Sequence, residues 1–179
     1  FNINKSIKIL KFFLDKILLN IKVPKFKTKI YIRREDTNYR KILNESDLIN
    51  KLREQKFEII NPQHFEIIEQ MKIFSNADLI ITPHGSNMTN FIFCKKGTKI
   101  IEIRPEFNNT YEKNISNRYR DIANILDMKF KTIKADTVNV VDHSDIAKKY
   151  IHPKILNNSN YYKNMILKIR EIDKIINTL

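Results

Sequence analysis

Between Lys29 and Arg104, short apolar runs alternate with amphipathic segments, and this alternation most limits what the chain can fold into. Lys29-Ile30-Tyr31-Ile32, Phe57-Glu58-Ile59-Ile60, Leu79-Ile80-Ile81 and Ile100-Ile101-Glu102-Ile103 are short, bounded by polar residues and rich in β-branched side chains, so they read as strands. The segments between them carry apolar residues at helical spacing. Strand and helix in repetition predict a Rossmann-like α/β fold, a parallel sheet with helices on both faces.

The most informative unit is Ala77–Arg104, which reads as strand, tight turn, helix, turn, strand. Pro83 stops the first strand, because it cannot donate to a ladder. His84-Gly85 turns the chain, and Ser86 or Asn87 caps a helix running to about Cys94. Lys95-Lys96-Gly97 ends that helix, with Gly97 free to adopt a positive φ. The chain has two glycines and both lie in this unit, so backbone geometry matters here.

Residues 6–22 form an amphipathic helix whose apolar face is Ile7, Leu10, Phe13, Leu14, Ile17, Leu18 and Ile21, ended by Val23-Pro24. Packing on the sheet or on another domain is the favoured role of that face, and peripheral membrane contact is the alternative. Asn44 caps a helix carrying Leu48, Ile49 and Leu52. Residues 64–75 form another, with Ile67, Ile68, Met71 and Phe74 inward. Glu106–Asn117 reads as a surface loop, and Tyr119–Met128 as a helix on Ile122, Ile125 and Leu126. Lys129–Ala135 alternates as an edge strand should. Asp142–Tyr150 is a short helix, and Tyr161–Leu179 is a C-terminal helix with Ile166, Ile169, Ile172 and Ile176 on one stripe.

A chain of 179 residues buries one core, which predicts a single domain over residues 1–179. It begins at Phe1 rather than Met, as a fragment of a longer protein would. The formal charge of +13 favours anionic partners: sugar nucleotides, nucleic acid, acidic glycans or anionic lipid. Most of these lysines read as the bias of an Ile-, Lys- and Asn-rich chain, since no dense basic run stands out. The single cysteine, Cys94, excludes an internal disulfide, and no Cys/His metal spacing occurs. The best membrane candidate, Ile7–Ile21, is short and broken by Lys8, Lys11, Asp15 and Lys16, so neither a transmembrane span nor a signal peptide is expected.

In such sheets ligands bind beyond the C-terminal strand ends. Arg33-Arg34 follows the first strand, and His84-Gly85-Ser86 follows the third. The latter feeds a helix N-terminus, whose N–H groups and dipole favour phosphate. An arginine can add two parallel hydrogen bonds to a pyrophosphate. Together these residues sketch a diphosphate site, although two arginines after a strand are as often a solvated end. No GxGxxG, P-loop or Asp-x-Asp pair occurs, so arginine and the helix terminus would neutralise the charge without a metal.

Three blocks give the chain a wider resemblance: KIYIRREDTNYRKILNE (29–45), FEIINPQHFEIIEQMKIFSNADLIITPHGSNMTNFIF (57–93) and KGTKIIEIRP (96–105). They resemble, in order and at matching spacing, the glycosyltransferase family 61 group, also called DUF563 proteins. RYRDIANILDMKF (118–130) fits more loosely. The resemblance implies transfer of a sugar from a nucleotide diphosphate, commonly a UDP-sugar, to a glycan or protein acceptor, by an inverting, metal-independent route. It also implies a two-lobed GT-B fold of which this chain is the C-terminal, donor-binding lobe, with the acceptor lobe N-terminal to it.

On that resemblance Arg34 grips the diphosphate with Arg40 nearby. His84, Gly85 and Ser86 line the phosphate side, and Thr89 and Asn90 start and fix the helix. Glu69 and Glu102 are matched carboxylates: Glu69 orients Arg34 or accepts from the donor, and Glu102 reaches ribose or base. Structural hydrogen bonding is an equal reading for Glu69 and Asn90. Ser86-Asn87 departs from the family's small residues after His-Gly, and Asn87 narrows the pocket. Arg33 stands where the family often has a hydroxyl, so Arg33 and Arg34 can exchange roles. His84 is the candidate base, with donation to phosphate its more ordinary role. No cofactor beyond the nucleotide sugar is expected.

The family acts in the bacterial cytoplasm or in the eukaryotic secretory lumen. A sequon at Asn87-Met88-Thr89, inside the proposed pocket, leans toward the cytoplasm, with membrane association as the alternative role of the first helix. The rival function is a basic nucleic-acid-binding domain without enzymatic activity.

Overall fold

The computed structural model describes residues 3–21, 26–35, 39–107, 110–138, 160 and 163–177. Among the described residues six strands form one sheet in the order β2-β1-β3-β4-β5-β6. β1 (Lys29–Ile32), β2 (Glu58–Ile60), β3 (Leu79–Pro83), β4 (Lys99–Pro105) and β5 (Lys129–Val138) run parallel, and β6 (Asn164–Ile166) is antiparallel to β5. The expected α/β architecture is therefore present, with a mixed edge.

The near-continuous apolar strands are explained by burial on both faces. Ile30, Ile32, Ile80 and Ile100 pack under α1 (Ile3–Leu19), α3 (Ile67–Asn76), a 3-10 helix (Ser86–Phe93) and α4 (Thr110–Ile125). Tyr31, Ile81, Ile101 and Ile103 point the other way, under α2 (Glu45–Glu54) and α5 (Ile169–Asn177).

Several expectations need correction. α1 touches the domain along one narrow line, Leu18 with Ile7 and Leu14, and leaves Leu10, Phe13 and Ile17 exposed. In α3 the inward residues are Met71, Ile73 and Phe74, whereas Ile67 and Ile68 are exposed in its first turn, at the sheet rim. β3 does not stop before Pro83, which pairs in register with Ile103. The His84 N–H continues the ladder to the Ile103 carbonyl at 2.8 Å, so Pro83 turns its missing donor toward β1, whose pairing with β3 ends at Tyr31↔Ile81. α4 begins at Thr110, inside the expected loop, and buries Tyr119, Ala123 and the following Leu126 at helical spacing.

The C-terminal stripe is also divided: Asn164–Ile166 is strand, and the helix starts at Ile169. The reason lies far upstream. Asn44 stands at the start of α2 but makes no side-chain cap; its amide donates to the Leu167 carbonyl at 2.9 Å and accepts from the Leu167 N–H at 3.0 Å. Met165 is bonded through its backbone to Lys41 and Leu43 at 2.7 and 2.8 Å. These ties hold the segment extended, and β6 covers Asp136–Val138 of β5, which is thus not an edge strand. α1 ends at Leu19, with Asn20 in a turn, so Ile21 lies past the helix that was expected to run to Val23-Pro24. The helix Asp142–Tyr150 lies outside the described residues.

Gly97 adopts the expected positive φ, +84, but in a turn closed by the Thr98 N–H to the Lys95 carbonyl at 3.2 Å, because the 3-10 helix has already ended at Phe93. A Cβ there would meet nothing within 4 Å, so an alanine would carry the backbone cost alone. Gly97→Ala is expected to destabilise by about 1–2 kcal/mol and lower Tm by roughly 2–8 °C, measured by thermal circular dichroism.

Candidate functional site at the sheet switch point

The chain leaves β1 toward β2 on one side, while β3 lies on the other, which makes the β1/β3 boundary the switch point. Ile32 of β1 delivers Arg34 there, and Pro83 of β3 delivers His84 and Gly85. Gly85 is extended, with φ −178 and ψ 177, a backbone open to any residue. Its need for glycine is instead close approach: a Cβ would lie 3.3 Å from Arg34 Nε and 3.4 Å from Arg34 Cδ. Arg34 Nη1 donates to the His84 carbonyl at 3.1 Å.

Tyr39 joins the same corner. The guanidinium carbons of Arg34 and Arg40 lie 5.0 and 4.9 Å from its ring centroid, within cation–π range. Arg40 is buried and holds a left-handed φ of 58, a conformation uncommon in a side-chain-bearing residue. A cleft of about 210 Å3 opens here, lined by Arg33, Arg34, Arg40, Lys41, Glu45 and Pro83 among others.

Arg33 is differently placed from Arg34. It pairs with Glu35, and its Nη2 lies 3.0 Å from Glu45 Oε2. Glu45 Oε1 accepts from the Tyr31 hydroxyl at 2.8 Å. Burial, and then the Glu45 charge, push the Tyr31 phenol well above its ordinary value, so it stays protonated. Arg33 is committed to carboxylates, and Arg34 is the arginine seated against the Gly85 turn.

His84 turns its imidazole inward, and its carbonyl faces Arg34. The ring is 1% exposed and meets Phe107 and Tyr119 edge-on, at centroid distances of 5.7 and 5.4 Å. Nδ1 donates to Glu102 Oε1 at 2.6 Å. Burial lowers the imidazole pKa, and the Arg40 and Arg104 charges add to that; the Glu102 hydrogen bond and charge oppose it without prevailing. The ring is therefore neutral at pH 7. Glu102 is itself 1% exposed, and its Oε2 accepts from Arg104 Nε at 3.2 Å and Thr132 Oγ1 at 3.0 Å. It is thus buried against His84 rather than presented to the cleft.

The helix after Gly85 is a 3-10 helix, and Gly85 rather than Ser86 or Asn87 occupies its cap. Met88, Phe91 and Cys94 are fully buried while Ser86 and Thr89 are exposed, a period of three that suits this helix type. That spacing was readable as a signal. Burial drives the Cys94 thiol far above its ordinary value, so it is an inert core residue. Thr89 Oγ1 donates to the Ser86 carbonyl at 2.8 Å. Asn90 donates to Gln70 Oε1 at 2.9 Å, which ties the 3-10 helix to α3, and Glu69 accepts the Glu66 N–H at 3.0 Å in a capping box.

The structure thus brings Arg33, Arg34 and Arg40 to one crevice, with Gly85 and the His84 carbonyl against Arg34, Ser86 exposed at the start of the 3-10 helix and Asn87 half-buried. Glu69, Asn90 and Glu102 hold surrounding structure. Tyr39, Arg104, Arg120 and Thr132 were not singled out from sequence. Thr132 meets Glu102 only through strand register, which local pattern does not encode.

An α/β sheet with a crevice of arginines and glutamates at its switch point has the architecture of open α/β domains, in which this is the usual place for a ligand. The family model for Glycosyltransferase 61 matches residues 4–101, more than half of the chain, and the chain belongs to that family. It is similar to the EGF domain-specific O-linked N-acetylglucosamine transferase of Drosophila melanogaster, 25% identical over 160 residues, which is 87% of this chain and 29% of that protein. The Gallus gallus protein of the same name is 32% identical over 82 residues, 43% of this chain and 15% of the relative. This chain therefore spans less than a third of the length of these relatives. Among the described residues no helix is long and apolar enough to cross a membrane.

Proposed function

We propose that this chain is the donor-binding part of a glycosyltransferase that moves a sugar from a nucleoside diphosphate, UDP in the first instance, to a glycan or protein acceptor. The observation that carries the reading is Arg34 lying against Gly85 at the switch point, where a diphosphate can take two hydrogen bonds from one guanidinium. Arg40 supplies a second positive charge, and the first N–H groups of the 3-10 helix supply further donors.

The names of the relatives favour N-acetylglucosamine as the sugar and an EGF domain as the acceptor. Departure of the diphosphate needs charge stabilisation, which this crevice offers without invoking a metal; inversion at the sugar needs a base near the acceptor hydroxyl. His84 is neutral, but its ring is enclosed by Phe107, Tyr119 and Glu102, which favours a structural use of that imidazole. The base and most of the acceptor site then belong to a lobe outside this chain, in keeping with the greater length of the relatives. This lobe would be the partner half of a GT-B arrangement. The present chain alone would bind donor weakly and turn over slowly, in a cytoplasmic or secretory compartment.

The test is a thermal-shift panel of UDP, GDP and ADP alongside single-stranded oligonucleotides over a range of salt. UDP should raise Tm, and Arg34→Ala should abolish that rise by removing a charge-assisted contact worth about 1.5–3 kcal/mol. Stabilisation by oligonucleotide alone, collapsing as salt rises, would replace this reading with the nucleic-acid one.

A further inference from the structure

Behind the crevice lies a continuous polar path that the donor-binding reading does not use. Glu102 on β4 stands in register with Thr132 on β5. Arg120 of α4 donates from Nη2 to Thr132 Oγ1 at 3.2 Å, and Thr132 Oγ1 donates to Glu102 Oε2 at 3.0 Å. Arg104 Nε reaches the same oxygen at 3.2 Å. The other oxygen of Glu102 holds His84 Nδ1 at 2.6 Å, and the His84 carbonyl accepts Arg34 Nη1 at 3.1 Å. Glu102, Arg104, Arg120 and Thr132 all lie beyond the residues that the family model matches.

A carboxylate buried to 1% exposure is costly unless hydrogen bonds and charges compensate it, so this arrangement requires an account. The place to look is the His84–Gly85 peptide. Glycine is the most permissive backbone residue, so on the Gly85 side the plane of that peptide depends on its contacts, among them the Gly85 carbonyl accepting the Met88 N–H at 3.1 Å. It is held from the His84 side as well. Phe107 and Tyr119 hold the ring edge-on, and Glu102 fixes its remaining rotation and its tautomer. Thr132 and Arg104 in turn prevent Glu102 from rotating away, and Arg120 orients the Thr132 hydroxyl toward it.

We propose that Thr132 and Arg120 are positioning residues for Arg34, acting through Glu102 and His84 to hold the carbonyl that aims the Arg34 guanidinium into the crevice. The proposal rests on the donor-binding reading for its consequence in ligand affinity. Its geometric content, the orientation of Arg34, stands apart from any ligand.

The test uses the 179-residue chain and two measurements: UDP affinity by calorimetry, and the Arg34 guanidinium signal by nitrogen-detected NMR. Thr132→Val keeps shape and removes the hydroxyl. It should weaken UDP binding roughly threefold to thirtyfold and average the Arg34 signal toward that of a freely rotating guanidinium. Arg120→Ala should act in the same direction. Thr132→Ser retains the hydroxyl and should restore UDP affinity to within about twofold of the parent, which a loss of packing alone would not produce. An Arg34 signal and UDP affinity both unchanged in Thr132→Val would overturn the proposal, as would a failure of Thr132→Ser to restore them. If the parent chain does not bind UDP, the donor reading fails, and the Arg34 signal in Thr132→Val still decides the positioning claim.

Discussion

Gly85→Val is expected to weaken UDP binding by about tenfold to a hundredfold, with at most an overpacking cost of about 1–3 kcal/mol to the fold. The backbone at Gly85 is extended, a conformation that β-branched residues favour, so the substitution adds no φ strain. The nearest atoms to the added side chain belong to Arg34. A Cβ already stands 3.3 and 3.4 Å from Arg34 Nε and Cδ, and the two methyl groups of valine extend further into the same space. The guanidinium must then move off the His84 carbonyl and the Tyr39 ring. Gly85→Ala asks for a shift of a few tenths of an ångström and should fall between the two. Because both changes act on one contact, Gly85→Val combined with Arg34→Ala should bind UDP no worse than Arg34→Ala alone. Calorimetry measures the affinities, and circular dichroism monitors the fold. A variant that binds UDP as tightly as the parent would show that the close approach of Gly85 and Arg34 does not shape the site.

The second large effect is on stability. Glu102→Ala should cost about 3–5 kcal/mol, because it leaves the buried His84 Nδ1–H without its acceptor and takes the paired carboxylate from the half-buried Arg104. For a domain of this size that is a fall in Tm of roughly 6–20 °C. The network also predicts a pH dependence. Burial depresses the His84 pKa below its ordinary 6.5, so the unfolded chain takes up the proton first as pH falls. Stability contributed by neutral His84 is therefore complete above about pH 6.5 and is lost as pH falls below it, toward the depressed folded value. Urea unfolding at pH 7.5 and pH 5.5 should show the decline, and His84→Gln should flatten it. An equal decline in both proteins would assign the pH dependence to other groups.

Much of the fold could be read from the chain, because strands buried on both faces leave continuous apolar runs and cannot hide. The alternation between Lys29 and Arg104 pointed to a parallel sheet, and the residues at the strand ends to the crevice, whereas the strand order came from the structure. The positive φ of Gly97 was legible from the permissiveness of glycine, although it serves a turn beyond the 3-10 helix rather than the helix end. Gly85 was marked as important, but for a turn; its actual constraint is a neighbour 51 positions earlier in the chain, Arg34. The C-terminal stripe illustrates the opposite case. Ile166 to Ile176 has helical spacing throughout, yet Asn44 and Lys41 capture its first residues as strand, since backbone ladder bonds outweigh a weak local preference.

The amino-acid order alone thus settled the α/β class, the membership of the family and the strand ends at which Arg34 and Gly85 would fall. These follow from periodicity and from motifs a few residues long. The direction of His84, the division of labour between Arg33 and Arg34, and the pairing of Glu102 with Thr132 were decided only when the sheet closed. Each depends on which side chains strand register brings face to face, and that choice is made by packing over the whole domain.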